Sequence, residues 1–101
     1  MSGDDLAFQQ SMSEGHSAAW DGMWERAVVS YRDALEESPD HPKALMSLGL
    51  ALFEIGKYEE ALEYYLQAAS VSPGDPLPLE KAAQLYELLE KTGKASNASL
   101  Q

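Results

Sequence analysis

"EIGKYEEALEYYLQAASVSPGD", Glu54–Asp75, decides how the chain is read, because "WDGMWERAVVSYRDALEESPDH", Trp20–His41, carries the same chemistry thirty-four residues earlier. At that offset Gly22 meets Gly56, Glu25 meets Glu59, Ala27 meets Ala61, Tyr31 meets Tyr65 and Ala34 meets Ala68, and Ser38 and Pro39 meet Ser72 and Pro73. Upstream, Met12, Ser13 and Gly15 meet Met46, Ser47 and Gly49. Ten identities between 8–41 and 42–75 stand against about two expected from average residue usage. What has been kept is small, aromatic or turn-forming. An internal period of this length marks stacked units, each with an apolar face that it cannot bury alone.

The units are helical. Ala27, Val28, Tyr31, Ala34 and Leu35 recur at helical spacing with charged residues between them, and Ala61, Leu62, Tyr65, Leu66, Ala68 and Ala69 repeat the pattern. Leu45, Leu48, Leu52 and Ile55 form a third stripe. Gly22 and Gly56 punctuate the pairs, while "SPDHP" (38–42) and "SPGDP" (72–76) end one helix and open the next. Pro42 and Pro76 suit first helical positions, with Asp75 a good cap before Pro76. The spacing predicts helices near 4–20, 24–37, 42–55, 58–71 and 76–91, with no strand. The small residues Ala27, Ala34, Ala61 and Ala68 should mark close crossings. Gly15 and Gly49 should let a neighbouring helix approach.

Length and charge bound the rest. A chain of 101 residues is expected to form one domain, at 1–91, followed by a flexible tail at 92–101. There is no cysteine, so neither disulfides nor thiolate metal sites arise. The net charge of −10 is uneven: residues 1–41 hold nine acids and two bases, whereas 76–101 hold three of each. No cluster of Lys and Arg supplies the electrostatic footprint of a nucleic-acid or anionic-membrane partner. The N-terminus lacks the basic and apolar regions of a secretory signal. The longest apolar run, Ala44–Phe53, is too short to span a bilayer. A cytoplasmic location is therefore expected.

In its repeated glycines, tyrosines and alanines the chain resembles the tetratricopeptide repeat. Residues 42–75 carry the resemblance most fully, through Leu45, Leu48, Gly49, Leu52, Gly56, Tyr58, Ala61, Tyr65, Ala68 and Pro73. Residues 8–41 carry it through Gly15, Gly22, Trp24, Ala27, Tyr31, Ala34 and Pro39, but Ser11, Glu14 and Ala18 stand where large apolar residues are usual. Residues 76–91 resemble a lone first helix, through Leu79, Ala82, Ala83 and Tyr86. The resemblance implies an all-α, right-handed superhelix of two helix–turn–helix repeats (8–41 and 42–75) and a C-terminal capping helix (76–91).

It also implies a concave face lined by the first helix of each pair. The groove positions that carry over include Met12, His16 and Trp20 from the first repeat and Lys43, Met46, Leu50 and Phe53 from the second, with Lys81 and Gln84 among those on the last helix. Met12, Trp20, Met46, Leu50 and Phe53 are expected to form an apolar trough for a protein or peptide partner. Some members of the family clamp a terminal carboxylate. At the matching positions this chain has Met12, His16, Met46, Leu77 and Lys81. Only Lys81 keeps a suitable charge, so that clamp is not expected. Basic flanks on the ligand would suit the acidic first repeat.

No catalytic constellation is present, and neither a cofactor nor a metal is expected. His16 has no second ligand at helical spacing, and His41 reads as a solvated turn residue. Leu79, Ala83 and Tyr86 would face a further helix in a longer stack. They are candidates for self-association, with a homodimer favoured. The leading expectation is a non-enzymatic interaction module. The alternatives are a self-assembling structural module or an accessory part of a larger enzyme complex.

Overall fold

A computed structural model describes residues 3–92 as five helices, with no strand among the described residues. They are α1 (Gly3–Trp20), α2 (Trp24–Glu37), α3 (Pro42–Glu54), α4 (Tyr58–Val71) and α5 (Leu77–Thr92). The helix ends agree with the sequence pattern to within a residue. α5 runs to Thr92, and the remainder of the expected tail, 93–101, lies outside the described residues.

The two glycine turns are built identically. Gly22 has φ +74° and Gly56 φ +87°, the left-handed conformation that glycine adopts without penalty. Around Gly22, Met23 N–H donates to the Ala18 carbonyl at 2.8 Å and Gly22 N–H to Ala19 at 3.0 Å. Around Gly56, Lys57 N–H donates to Leu52 at 2.9 Å and Gly56 N–H to Phe53 at 3.0 Å. Both are Schellman closures, which satisfy the last carbonyls of α1 and α3 and reverse the chain.

The proline turns open α3 and α5. His41 is extended (φ −72°, ψ 117°), as a residue before proline must be, and its Nδ1 accepts from Lys43 N–H at 3.2 Å. Its ring also lies 4.3 Å from that of Phe8. His41 is thus a half-buried helix cap and not the solvated turn residue expected. Asp75 Oδ1 accepts from Leu77 N–H at 3.0 Å, while the Pro76 carbonyl accepts from Glu80 N–H at 3.0 Å. Pro76 therefore precedes the first helical residue by one place, and Asp75 still caps the start.

Each helix packs on its neighbours in sequence, α1 on α2, α2 on α3, α3 on α4 and α4 on α5. Ala27, Ala34, Ala61 and Ala68 have no exposed surface, in keeping with close crossings. Leu45, Leu48 and Leu52 are fully buried along α3, and Ala82, Leu85 and Leu89 seat α5. The glycines inside helices serve a different purpose from those in the turns. A Cβ on Gly15 would stand 2.6 Å from Tyr31 Cδ1, and one on Gly49 would stand 2.7 Å from Tyr65 Cε1. Each repeated tyrosine packs its ring against the bare backbone of the preceding helix. That is why Gly15 and Tyr31 return together as Gly49 and Tyr65. On the opposite side, Arg32 reaches from α2 to α4, 3.3 Å from Tyr64 Oη and 3.9 Å from Glu60. Both partners of the ion pair are exposed, so it contributes at most about 1 kcal/mol.

Candidate peptide-binding groove

Two furrows run beside α3, one on each side. The α3–α5 furrow has a volume of about 310 Å³ and is walled by Leu50 and Phe53 from α3 and by Lys81, Gln84, Leu85, Glu87, Leu88 and Lys91 from α5, with Tyr65 also lining it. Leu50 keeps 40% of its surface exposed although it is apolar. The α1–α3 furrow, of about 460 Å³, is lined by Phe8, Gln9, Met12, Ser13 and His16 from α1 and by His41 and Lys43.

The residues expected to share one trough therefore divide. Leu50 and Phe53 join in the α3–α5 furrow, and Met12, His16 and Lys43 in the other. Met12 lines its furrow with little surface of its own: it is only 6% exposed and also belongs to the core. Met46 is half-buried against the core and lines neither furrow. Trp20 is 90% exposed at the end of α1 and stands apart from both.

Phe8, Ser13, His41, Tyr65, Leu88 and Lys91 were not anticipated as lining residues. For two of them a signal existed: Lys81, Gln84, Leu88 and Lys91 follow the three- and four-residue steps of one helix stripe. The others depend on which face of a neighbouring helix comes near.

Charge is distributed against expectation. The first repeat is acidic, yet no acid lines the α1–α3 furrow. Glu14 and Asp21 instead border a separate hollow between α1 and α2, together with Arg26. Across the two furrows the lining holds Lys43, Lys81 and Lys91 against the single acid Glu87. The expectation that a ligand would need basic flanks is not supported by this arrangement.

The two repeated tyrosines differ at their hydroxyls. Tyr31 Oη lies 2.7 Å from His16 Nδ1. Burial pushes its pKa up, and the Ser47 side chain partly opposes that rise. Tyr65 is pushed up to about 12, by burial first and by the charge of Glu54 second. It stays protonated at neutral pH and is available as a donor. Among the described residues there is no group of three or more His, Cys, Asp or Glu side chains placed to hold a metal ion. No described helix is long and apolar enough to cross a membrane.

Paired helices stacked in register, with furrows on either side of the middle first-position helix, define a helical-repeat interaction module. The chain belongs to the tetratricopeptide-repeat family, whose model matches residues 13–76. It is 37% identical over 76 residues to the photosystem I assembly protein Ycf3 of Rippkaea orientalis, covering 72% of this chain and 44% of that one. To the protein of the same name from Synechococcus elongatus it is 33% identical over 88 residues, covering 83% and 51%. The chain thus spans about half the length of these relatives. A human protein O-mannosyl-transferase, TMTC2, is 33% identical over 69 residues, but these make up only 8% of that protein. Among solved structures, a chain of a CopN–Scc3 complex superposes with a TM-score of 0.82 at 26% identity, covering 97% of this chain and 56% of that one. The architecture is the helical solenoid, a right-handed α–α superhelix, that the family resemblance implied.

Proposed function

We propose that the protein is a non-enzymatic adaptor that seats an apolar or amphipathic segment of another protein against the concave face, in a cytoplasmic setting. The observation that carries this reading is the α3–α5 furrow, where Leu50, Phe53 and Leu88 leave apolar surface open between two helices. Burying an exposed leucine or phenylalanine contributes roughly 1.5–3 kcal/mol, so a few such anchors suffice for a specific complex. An amphipathic helix laid in a groove is the mode that fits two parallel walls of this kind. The names of the cyanobacterial relatives point the same way, toward holding a partner during assembly. Leu50→Glu combined with Phe53→Glu is expected to abolish binding of an amphipathic helical peptide while leaving the circular dichroism of the chain unchanged. Retained affinity in that variant would remove the furrow from the reading.

A second reading is favoured by α5. Its outer face exposes Leu79 at 57% and Tyr86 at 50%, with Ala83 also exposed, while Ala82, Leu85 and Leu89 on the other side are buried. Self-association through Leu79, Ala83 and Tyr86 would cover that face in a two-fold contact. Sedimentation at micromolar concentration is expected to show a dimer that Tyr86→Lys converts to monomer. A monomeric wild type would end this second reading and leave the first intact.

A further inference from the structure

We propose that the Tyr65 hydroxyl reads a side-chain amide, so that the segment taken by the α3–α5 furrow carries an Asn or Gln beside its apolar anchor. The proposal rests on the groove reading above and narrows its ligand.

It follows from a place where the thirty-four-residue repeat is broken. Tyr31 Oη lies 2.7 Å from His16 Nδ1 and has Ser47 as a second hydrogen-bonding neighbour. One period later, Leu50 stands at the place of His16 and Lys81 at the place of Ser47. A leucine side chain has no lone pair, and neither has an ammonium, so neither can accept the proton of the phenol. Tyr65 Oη makes no hydrogen bond with any described residue. It is nevertheless open to the surface: no buried side-chain oxygen or nitrogen among the described residues lacks a partner, and Tyr65 lines the α3–α5 furrow. The ring is packed against Gly49, where an added Cβ would stand 2.7 Å from Cε1, so the hydroxyl is held in place.

The furrow therefore presents a fixed donor beside its apolar walls, and the ligand has to supply the acceptor. The charge of Glu54 selects the kind of acceptor. That carboxylate acts on the phenol electrostatically, adding to burial in pushing its pKa up to about 12. A ligand carboxylate at the hydroxyl would meet the same repulsion. A ligand ammonium has no lone pair to offer. A neutral oxygen remains. In a helical ligand the main-chain carbonyls are already bonded within the helix, so the oxygen comes from a side chain. Asn and Gln carry one, with more reach than Ser or Thr. Their amide nitrogen is also a donor, which suits the side where Glu54 stands, one turn beyond Leu50 and next to Phe53 on α3.

The test uses the full chain and fluorescein-labelled amphipathic helical peptides with leucine anchors at i, i+4 and i+7. Each position beside an anchor is in turn Gln, Met or Glu. Met matches Gln in length without the carbonyl, and Glu matches its shape with a charge. At one position the Gln peptide is expected to bind about three- to tenfold tighter than its Met and Glu counterparts. Tyr65→Phe, which keeps the ring against Gly49, should bring the Gln-to-Met ratio to about one. Tyr31→Phe, at the hydroxyl that is already partnered, should leave that ratio unchanged. Glu54→Gln should bring the affinity of the Glu peptide closer to that of the Gln peptide. Should Tyr65→Phe fail to fold, the ranking of the three peptides and its response to Glu54→Gln decide. Equal binding of Gln and Met peptides at every position overturns this inference and leaves the groove reading standing. A Gln preference that survives Tyr65→Phe, or that both tyrosine variants lose alike, also overturns it. If no peptide binds at all, the groove reading falls and takes this inference with it.

Discussion

Leu48→Ala is expected to destabilise the fold by roughly 2–5 kcal/mol. Leu48 has no exposed surface and sits mid-way along α3, the helix that both glycine–tyrosine pairs and both furrows adjoin. Truncating it removes the transfer free energy of the lost methyl groups and leaves a cavity that α3, held on both sides, cannot close. A domain of this size has only about 5–15 kcal/mol of stability in total. Each kcal/mol corresponds to about 4–8 °C in Tm, so a fall on the order of 10–30 °C should appear in a thermal melt. Leu66→Ala, at a residue 38% exposed on α4, is the control and should shift the midpoint far less. Similar melting of the two variants would contradict the central place given to α3.

Gly49→Ala should destabilise by roughly 1–3 kcal/mol, although alanine is the better helix former. The gain in propensity, about 1 kcal/mol, is outweighed because the new Cβ would lie 2.7 Å from Tyr65 Cε1. The obstacle is an aromatic ring with buried walls, not the loose end of a flexible side chain. Two other glycines separate the causes. At Gly56 there is open space but φ is +87°, so alanine there meets backbone strain of about 1–2 kcal/mol and no clash. Gly74 has open space and no left-handed φ, and alanine there should be close to neutral. Urea unfolding of the three variants reads the order directly. If Gly49→Ala proved as harmless as Gly74→Ala, the tyrosine would not be packed as described.

The helices were legible because punctuation and periodicity agree. Gly22 and Gly56 fall where only glycine closes the turn without strain, and Pro42 and Pro76 fall where only a helix start tolerates proline. The sequence marks Gly15 and Gly49 only as places where a neighbouring helix could approach; that the Tyr31 and Tyr65 rings are what approach them needed the structure, although each glycine and its tyrosine return at the same offset. The groove was less legible. A first-position helix shows its partner-facing and core-facing residues only a fraction of a turn apart, and small changes in neighbouring volume decide between them. Met12 serves both sides, being almost wholly buried in the core while it also lines the α1–α3 furrow. His41 gained a capping role that depends on the backbone angle set by Pro42 and on the position of Phe8, a contact between residues far apart in sequence. That Lys81 and Lys91 share a stripe of α5 was readable from their spacing, but which neighbouring helix that stripe would meet was not, because net charge says nothing of direction.

The neighbour-to-neighbour packing of the five helices also shapes how the chain reaches this state. Every substantial helix contact joins elements adjacent in sequence, so no long loop has to close before favourable burial begins. Low contact order of this kind places the protein toward the fast end of folding rates. Structure can spread outward from α3 one helix at a time, and loss of order can run inward from α1 and α5. The two furrows lie between the last helices to be lost and the first, so a ligand bridging α3 and α5 would act as a brake on fraying at that end, coupling occupancy to the local unfolding equilibrium.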